Sequence, residues 1–302
     1  MKPLSAQKNG MARQPWLAGL FLFSLAFDAS AGPTATTEPV PAITHTLKLA
    51  TSEDFAPYVY LNDAGEFAGI DFEIVQEVCK RLAIELEVML LPRPRISRMM
   101  SLGEIDGVVS TTSFNDPDIV KTLWLSAPLY SSSVGIFMLK TAQPSGDSPL
   151  FQEGVFRLPK GVRVGMLEGF DYSPIGEPGL SELKQNALLV RTDHQLVNLL
   201  IHKRINYVVS EEISFSYQGR NQGVFDQLTN EGEVYSRSVR IGLSRKLLRS
   251  DPSLEGRLNS VIETLNQEQF IDRVIYQNLR LDFDAKRTSK GVLGAEPLPS
   301  ER

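Results

Sequence analysis

The sequence predicts an α/β protein built from two similar lobes, and three observations carry that expectation. A six-residue phrase occurs twice, Ile105-Asp106-Gly107-Val108-Val109-Ser110 and Ile205-Asn206-Tyr207-Val208-Val209-Ser210, each after a helix-like stretch and before polar residues. Short β-branched runs alternate with amphipathic segments along the chain, the mark of sheets with crossover helices. The chain has 302 residues, 42% hydrophobic and 22% charged, enough for one large core or two moderate ones. A β-branched run ending in hydroxyl and carboxyl groups reads as a buried parallel strand whose carboxyl end opens into a crevice. Two such ends facing each other make a cleft.

In order along the chain, residues 1–31 read as a secretory signal. Lys2, Lys8 and Arg13 precede an apolar run of 12 residues, and Ala29-Ser30-Ala31 fits a signal-peptidase site. That run is too short to cross a bilayer, which needs roughly 20 residues. Residues 32–45, rich in Thr and Pro, are expected to be a flexible leader. Thr46 to Thr51 reads as a strand, Asp63 to Gly65 as a turn, and Phe72 to Leu82 as a helix with Ile74, Val75, Val78 and Leu82 on one face. Leu86 to Leu90 is a second strand; after Pro92 and Pro94, Ile96 to Leu102 is a short helix leading into the first repeated strand. Asp116-Pro117 reads as a helix start, because Asp caps free amides and Pro fits the first helical position.

Ser131 to Lys140 is a long strand, and Ala142 to Gly154 a linker or excursion. Strands at Val162 to Leu167 and Ala187 to Arg191 follow, then a helix at Asp193 to Lys203 and the second repeated strand. Val234 to Ser244 reads as one further strand before helices at Pro252 to Gln267 and Phe270 to Leu279. Residues 284–302 are expected to be a mobile tail.

Composition excludes several classes. The formal charge of −5 becomes about −7 once residues 1–31, with three cations and one anion, are removed, which argues against a nucleic-acid partner. Cys79 is alone and cannot form an internal disulfide; on an amphipathic helix it reads as a buried, inert thiol. His45, His194 and His202 have no cysteine at ligand spacing, so no metal site is expected. No Walker loop, Gly-x-Gly-x-x-Gly fingerprint or Gly-x-Ser-x-Gly elbow is present, so no cofactor is expected. Ser181 and Lys184 spell Ser-x-x-Lys without the companion motifs of penicillin-recognising enzymes.

Four phrases in order, Leu49 to Tyr58, Gly69 to Ile74 with Val78, Cys79 and Leu82, Gly103 to Gly107, and Leu125 to Tyr130, resemble the periplasmic solute-binding proteins of ABC importers, in the class that captures polar amino acids. The resemblance covers roughly residues 46–283. It implies the type II periplasmic-binding fold: two lobes, each a mostly parallel sheet flanked by helices, joined by two hinge crossings. Lobe 1 would be residues 46–134 plus 240–283, and lobe 2 residues 135–239. The implied partners are a small polar ligand and an inner-membrane ABC permease, the expected location is the periplasm, and the protein is expected to be a monomer.

The resemblance also implies site residues. Phe55 matches an aromatic that packs on the ligand; the alternative is a ring covering the sheet's edge. Ser110, Thr111 and Ser113 match the stretch that donates hydrogen bonds to a ligand carboxylate; the alternative is turn chemistry. Glu211 matches the acidic residue that meets the ligand's ammonium group; the alternative is a helix-capping carboxylate. Asp171 is a further candidate of the same kind. One departure stands out: Asp118 occupies the position where relatives place an arginine that grips the ligand carboxylate. Arg95 and Arg98, three apart on the same helix face, are candidates to supply the missing charge; the alternative is a solvated basic face.

No catalytic residue is expected. The rival classes are a periplasmic enzyme of the cyclohexadienyl-dehydratase type, on the same fold, and a sensory or regulatory module. The chain ends about 20 residues after the last expected helix, which leaves the module reading no room for a signalling domain in cis.

Overall fold

Leu47 and Leu49 alternate with Thr46 and Lys48 in β1 (Thr46–Thr51), so one face of the strand is sealed while the other starts at the surface. A computed structural model of the chain describes residues 46–52, 56–111, 121–141, 150–152, 155–158 and 161–281, all within one compact unit spanning residues 41–302. The expected signal, leader and tail, and the expected helix start at Asp116-Pro117, lie outside the described residues. A small hairpin, β2 (Tyr60–Leu61) and β3 (Phe67–Ala68), leads into α1 (Ile70–Arg81). Ile70, Ile74, Val75, Val78 and Cys79 fall on one face of that helix and are buried against the sheet. Burial pushes the Cys79 thiol up to about 12, as an inert core residue requires.

The first sheet then gains β4 (Glu85–Leu90), α2 (Arg93–Leu102), β5 (Gly107–Val108) and β6 (Leu123–Leu125). Beyond it run β7 (Tyr130–Leu139), a hairpin of β8 (Leu150–Gln152), within the stretch expected as an excursion, and β9 (Val155–Arg157), just past its expected end at Gly154, and then β10 (Val164–Leu167). Next come α3 (Gly179–Gln185), which the Pro/Gly-flanked sequence did not announce, β11 (Ala187–Val190), α4 (Asp193–Ile201), β12 (Tyr207–Glu211) and α5 (Glu212–Asn221). The chain closes with β13 (Leu228–Val239), β14 (Gly242–Ser244), α6 (Arg245–Ser250), α7 (Leu254–Gln267) and α8 (Phe270–Asn278).

Two five-stranded sheets result, in the orders β4-β1-β5-β14-β6 and β11-β10-β12-β7-β13. The strands carrying the repeated phrase, β5 and β12, are each the third strand of their sheet. Each sheet is parallel on one side, β4-β1-β5 and β11-β10-β12, and antiparallel where a crossing strand enters. Strands joined by a helix return parallel, whereas a strand arriving from the other lobe has no crossover helix to turn it.

The two crossings lie side by side. Leu129 N–H donates to the Val239 carbonyl at 2.8 Å and Ser126 N–H to that of Ile241 at 3.0 Å. Leu129, Tyr130, Val239 and Ile241 pack in the first lobe's core, while Val134, Ile136, Met138 and Val234 of the same strands pack in the second lobe's. The single strand expected at 234–244 is therefore two: it ends at Val239 and resumes at Gly242 in the other sheet. Its apolar alternation is continuous because both cores use it, so the sequence shows no break. Helices α7 and α8, close to their expected limits, bury Leu254, Leu258, Ile262 and Leu265 and then Ile271, Val274 and Ile275 in the first core. Each such aliphatic side chain contributes roughly 1.5–3 kcal/mol of burial.

Candidate functional site

Gly69 sets the geometry. Its φ of +113° suits glycine, and a Cβ there would meet the Tyr58 carbonyl oxygen at 2.5 Å and that of Pro57 at 2.7 Å. This close approach lets Ile70 N–H donate to Pro57 O and Asp71 N–H to Tyr58 O, both at 2.9 Å, so residues 57 and 58 satisfy the first amides of α1. Tyr58 is thereby held beside Asp71, and both are buried.

From this position the Tyr58 hydroxyl donates to Glu211 Oε2, a contact between the first lobe and the end of β12 in the second. Glu211 is 3% exposed. Its Oε2 also accepts from Ser214 N–H at 2.9 Å, capping α5, and its Oε1 accepts from Ser132 Oγ at 2.6 Å on the crossing strand β7. Asp71, also buried, accepts from Tyr130 Oη at 2.5 Å and from Ser110 Oγ. Asp193, the first residue of α4, accepts from Ser210 Oγ at 2.5 Å and Ser214 Oγ at 2.6 Å. The terminal serine of each repeated phrase thus donates to a buried aspartate in the first turn of a helix.

Three carboxylates in one buried zone shape the titration of their neighbours. Burial, then the charge of Glu211, holds the Tyr58 phenol well above its usual range, and burial with Asp71 does the same to Tyr130. Both tyrosines therefore stay protonated and act as donors. Asp193 is pushed up to about 6 by burial, against the pull of its two serines. Glu212 is pushed up to about 8 by burial and by the adjacent Glu211 charge, against a hydrogen bond from Asn230.

Of the residues singled out from sequence, Phe55 and Ser113, with the departure at Asp118, lie outside the described residues. Ser110 is fully buried with its hydroxyl on Asp71. Thr111 clasps the second crossing: its N–H donates to Arg240 O at 2.9 Å and its Oγ1 accepts from Arg240 N–H at 3.2 Å. Asp171 is exposed, and its carboxylate takes up Ser173 N–H at 3.0 Å and Ser173 Oγ at 2.6 Å within its own turn. Arg95 and Arg98 are not at the junction of the lobes. Ile96 is buried, with Met99 and Met100 packed in the same cluster, so Arg95 and Arg98 face away from the sheet. They line a shallow pocket of about 510 Å³ with Pro94, Met99, Leu102 and Glu104, all from α2 and the turn after it.

Sequence reasoning did not single out as site residues Tyr58, Asp71 and Ser132, whose hydrogen bonds build the buried polar cluster, nor Arg237 on the crossing strand. Arg237, half-buried on β13, pairs with Ser132 in the β7–β13 ladder, and its guanidinium carbon lies 5.3 Å from the centre of the Phe170 ring. The available signal was its place in an alternating strand, with Tyr235 two before it and Val239 two after. An arginine in such a run must lead either to solvent or to a polar enclosure.

Residues 47–278 match the family described as bacterial extracellular solute-binding proteins, family 3. The histidine-binding periplasmic protein of Escherichia coli (strain K12) is 24% identical over 137 residues, 45% of this chain and 48% of that protein. The histidine-binding periplasmic protein of Salmonella typhimurium (strain LT2) is 20% identical over 245 residues, 80% of this chain and 90% of that protein. The chain thus spans about half the length of the Escherichia coli relative and most of the Salmonella one. Among solved structures, an ancestral cationic amino acid solute-binding protein superposes with a TM-score of 0.57 at 15% identity, over 78% of this chain and 95% of that one. At that identity the likeness bears on the fold, which is the two-lobed type II architecture.

Proposed function

Since this chain belongs to the bacterial extracellular solute-binding proteins, family 3, we propose that it captures a small polar metabolite, an amino acid or related carboxylate, between its two lobes and delivers it to an inner-membrane ABC permease. The observation that carries this reading is the bond from Tyr58 to Glu211. It links the first lobe to the carboxyl end of the second lobe's middle strand, where open α/β sheets take ligands. The Tyr58 hydroxyl, the Ser132 hydroxyl and the Ser214 N–H provide the donors that Glu211 accepts. A ligand ammonium group replaces the Tyr58 donor with a charged one, a charge-assisted contact that is stronger in a site shielded from water.

Capture is then a shift of population between open and closed lobes, set by contacts made only when both lobes engage. The remaining ligand contacts fall to Phe55, Ser113 and the backbone around Ser110 and Thr111, while Asp171 holds the loop that follows β10. Nothing in this reading calls for catalysis. Residues 1–31 direct export to the periplasm, where the acidic mature protein acts as a monomer.

A thermal-shift screen of the purified protein against amino acids, carboxylic acids, polyamines and sugars tests the reading. A solute that binds only the native state raises the melting temperature in proportion to the logarithm of its concentration over Kd. If no member of the panel raises it at millimolar concentration, the proposal fails.

A further inference from the structure

Arg237 is a cation without an ion-pair partner among the described residues, and its Nε–H is buried with no hydrogen-bond partner there. A buried donor left unmade costs on the order of 1–3 kcal/mol, so the position is unfavourable unless something supplies an acceptor. The nearby carboxylates are already engaged. Glu211 accepts from Tyr58, Ser132 and Ser214, and Asp171 accepts from Ser173.

Its surroundings place it in the ligand zone. Directly opposed residues of an antiparallel pair share a face, so Arg237 projects on the same side as Ser132, whose hydroxyl reaches Glu211. Phe170, on the loop after β10, covers one face of the guanidinium at 5.3 Å and itself packs on Tyr172 with ring centres 4.8 Å apart. The Tyr235 phenol, whose hydroxyl donates to Asp171 O at 2.6 Å, feels the charges of Arg237, Asp171 and Glu211 together. Arg237 thus stands beside the buried carboxylates Glu211 and Asp71 near the junction of the lobes, which gives a zwitterion both signs of charge to meet.

We infer that Arg237 anchors a carboxylate of the ligand, held side-on through Nε–H and one Nη–H, with Phe170 backing the guanidinium. Side-on pairing uses the Nε–H of Arg237, one of the buried donors left unmatched among the described residues, together with an Nη–H. The inference rests on the capture reading and narrows it to carboxylates. It also accounts for Asp118: the anchoring arginine has moved from the position used in relatives to the crossing strand, so an acidic residue at 118 does not by itself remove carboxylate binding.

The test starts with calorimetric titration of the wild-type protein against the standard L-amino acids, succinate and spermidine. For a carboxylate that binds, Arg237→Gln and Arg237→Ala are expected to lose at least about 30-fold in affinity, the usual loss when one partner of a buried charge pair is removed. The carboxamide of the same compound is expected to bind wild type and Arg237→Gln equally weakly. A second measurement needs no variant to fold: the Nε–H resonance of Arg237 in the unmodified protein is expected to shift on saturation with the ligand. A bound carboxylate that leaves that resonance in place, with affinity in both variants within about threefold of wild type, overturns the anchor and leaves the capture reading standing. Binding of spermidine with no carboxylate bound overturns the anchor and leaves capture of a small polar solute standing, with a polyamine in place of the amino acid or carboxylate. Binding of none of these probes removes both.

Discussion

Tyr58 donates its hydroxyl to Glu211, joining residues 153 positions apart in sequence and belonging to different lobes. The donor is a phenol that cannot ionise at ordinary pH, and the acceptor is the carboxylate that caps α5. Beside it, a side-chain hydrogen bond between Tyr60 and Tyr217 and the packing of Ile213 in the first core also join the lobes, so the junction next to the crossings is held by several side chains.

Tyr58→Phe is expected to loosen that hold. Glu211 would lose one of its donors while remaining buried, which costs about 1–3 kcal/mol. Part of that cost is relieved by opening, so small-angle scattering of the ligand-free variant should show a larger radius of gyration than wild type. Unchanged scattering together with an unchanged melting temperature would show that the contact does not govern closure.

Glu211→Gln keeps the shape and removes the charge. The amide oxygen can still accept from Ser214 N–H. One acceptor, however, becomes a donor facing Ser132 or Tyr58 and the charge-assisted bonds become neutral, which should lower stability by about 1–3 kcal/mol. Ligands bearing an ammonium group should weaken more than ligands without one, by about tenfold or more, since a charged contact becomes a neutral one. Equal weakening of both ligand types would place the ammonium elsewhere.

Glu212 gives stability a pH dependence of known sign. Its folded pKa of about 8 lies above the ordinary value of 4.5, so between those limits the folded chain holds one proton more than the unfolded chain. Stability therefore falls as pH rises across that window, with a slope approaching about 1.4 kcal/mol per pH unit, and levels off above pH 8. Asp193, pushed up to about 6, adds a slope of the same sign between about pH 4 and 6. Denaturant titrations at pH 6, 7 and 8 should find that slope in wild type and not in Glu212→Gln; identical slopes in the two proteins would contradict the assignment.

Gly69→Ala is expected to destabilise by about 2 kcal/mol or more. Its φ of +113° is strained for an L-residue, and its Cβ would press on two backbone oxygens that cannot swing away. Urea unfolding measures it directly.

Arg95→Ala and Arg98→Ala are expected to leave ligand affinity within about twofold of wild type. Both side chains face a pocket made only from α2 and its following turn, on the side of the helix away from the sheet. Calorimetry on the double variant is the check, and a large loss of affinity would return these arginines to the ligand site.

The fold class was legible because periodicity and burial agree locally. The repeated phrase announces the middle strand of each sheet, and the helical spacing of Ile74, Val75 and Val78 names the buried face of α1. The break at Arg240 and Ile241 was not legible, because Val239 and Leu243 are apolar whichever sheet they serve. Glu211 was legible as an acidic residue at a strand end, and the structure adds what holds it: Tyr58 from the other lobe, Ser132 from a crossing strand and the first turn of α5.

By itself, then, the sequence determined the α/β class, the two middle strands and the family phrases, since these depend on side-chain pattern over a few consecutive residues. Only the tertiary structure decided which charges meet. Arg95 and Arg98 looked suitable by type, yet the burial of Ile96 turns them outward. Arg237 carried no motif, yet its pairing with Ser132 brings it to the junction of the lobes. The energy of a charge depends on what lies within a few ångströms in space, and spacing along the chain does not encode that distance.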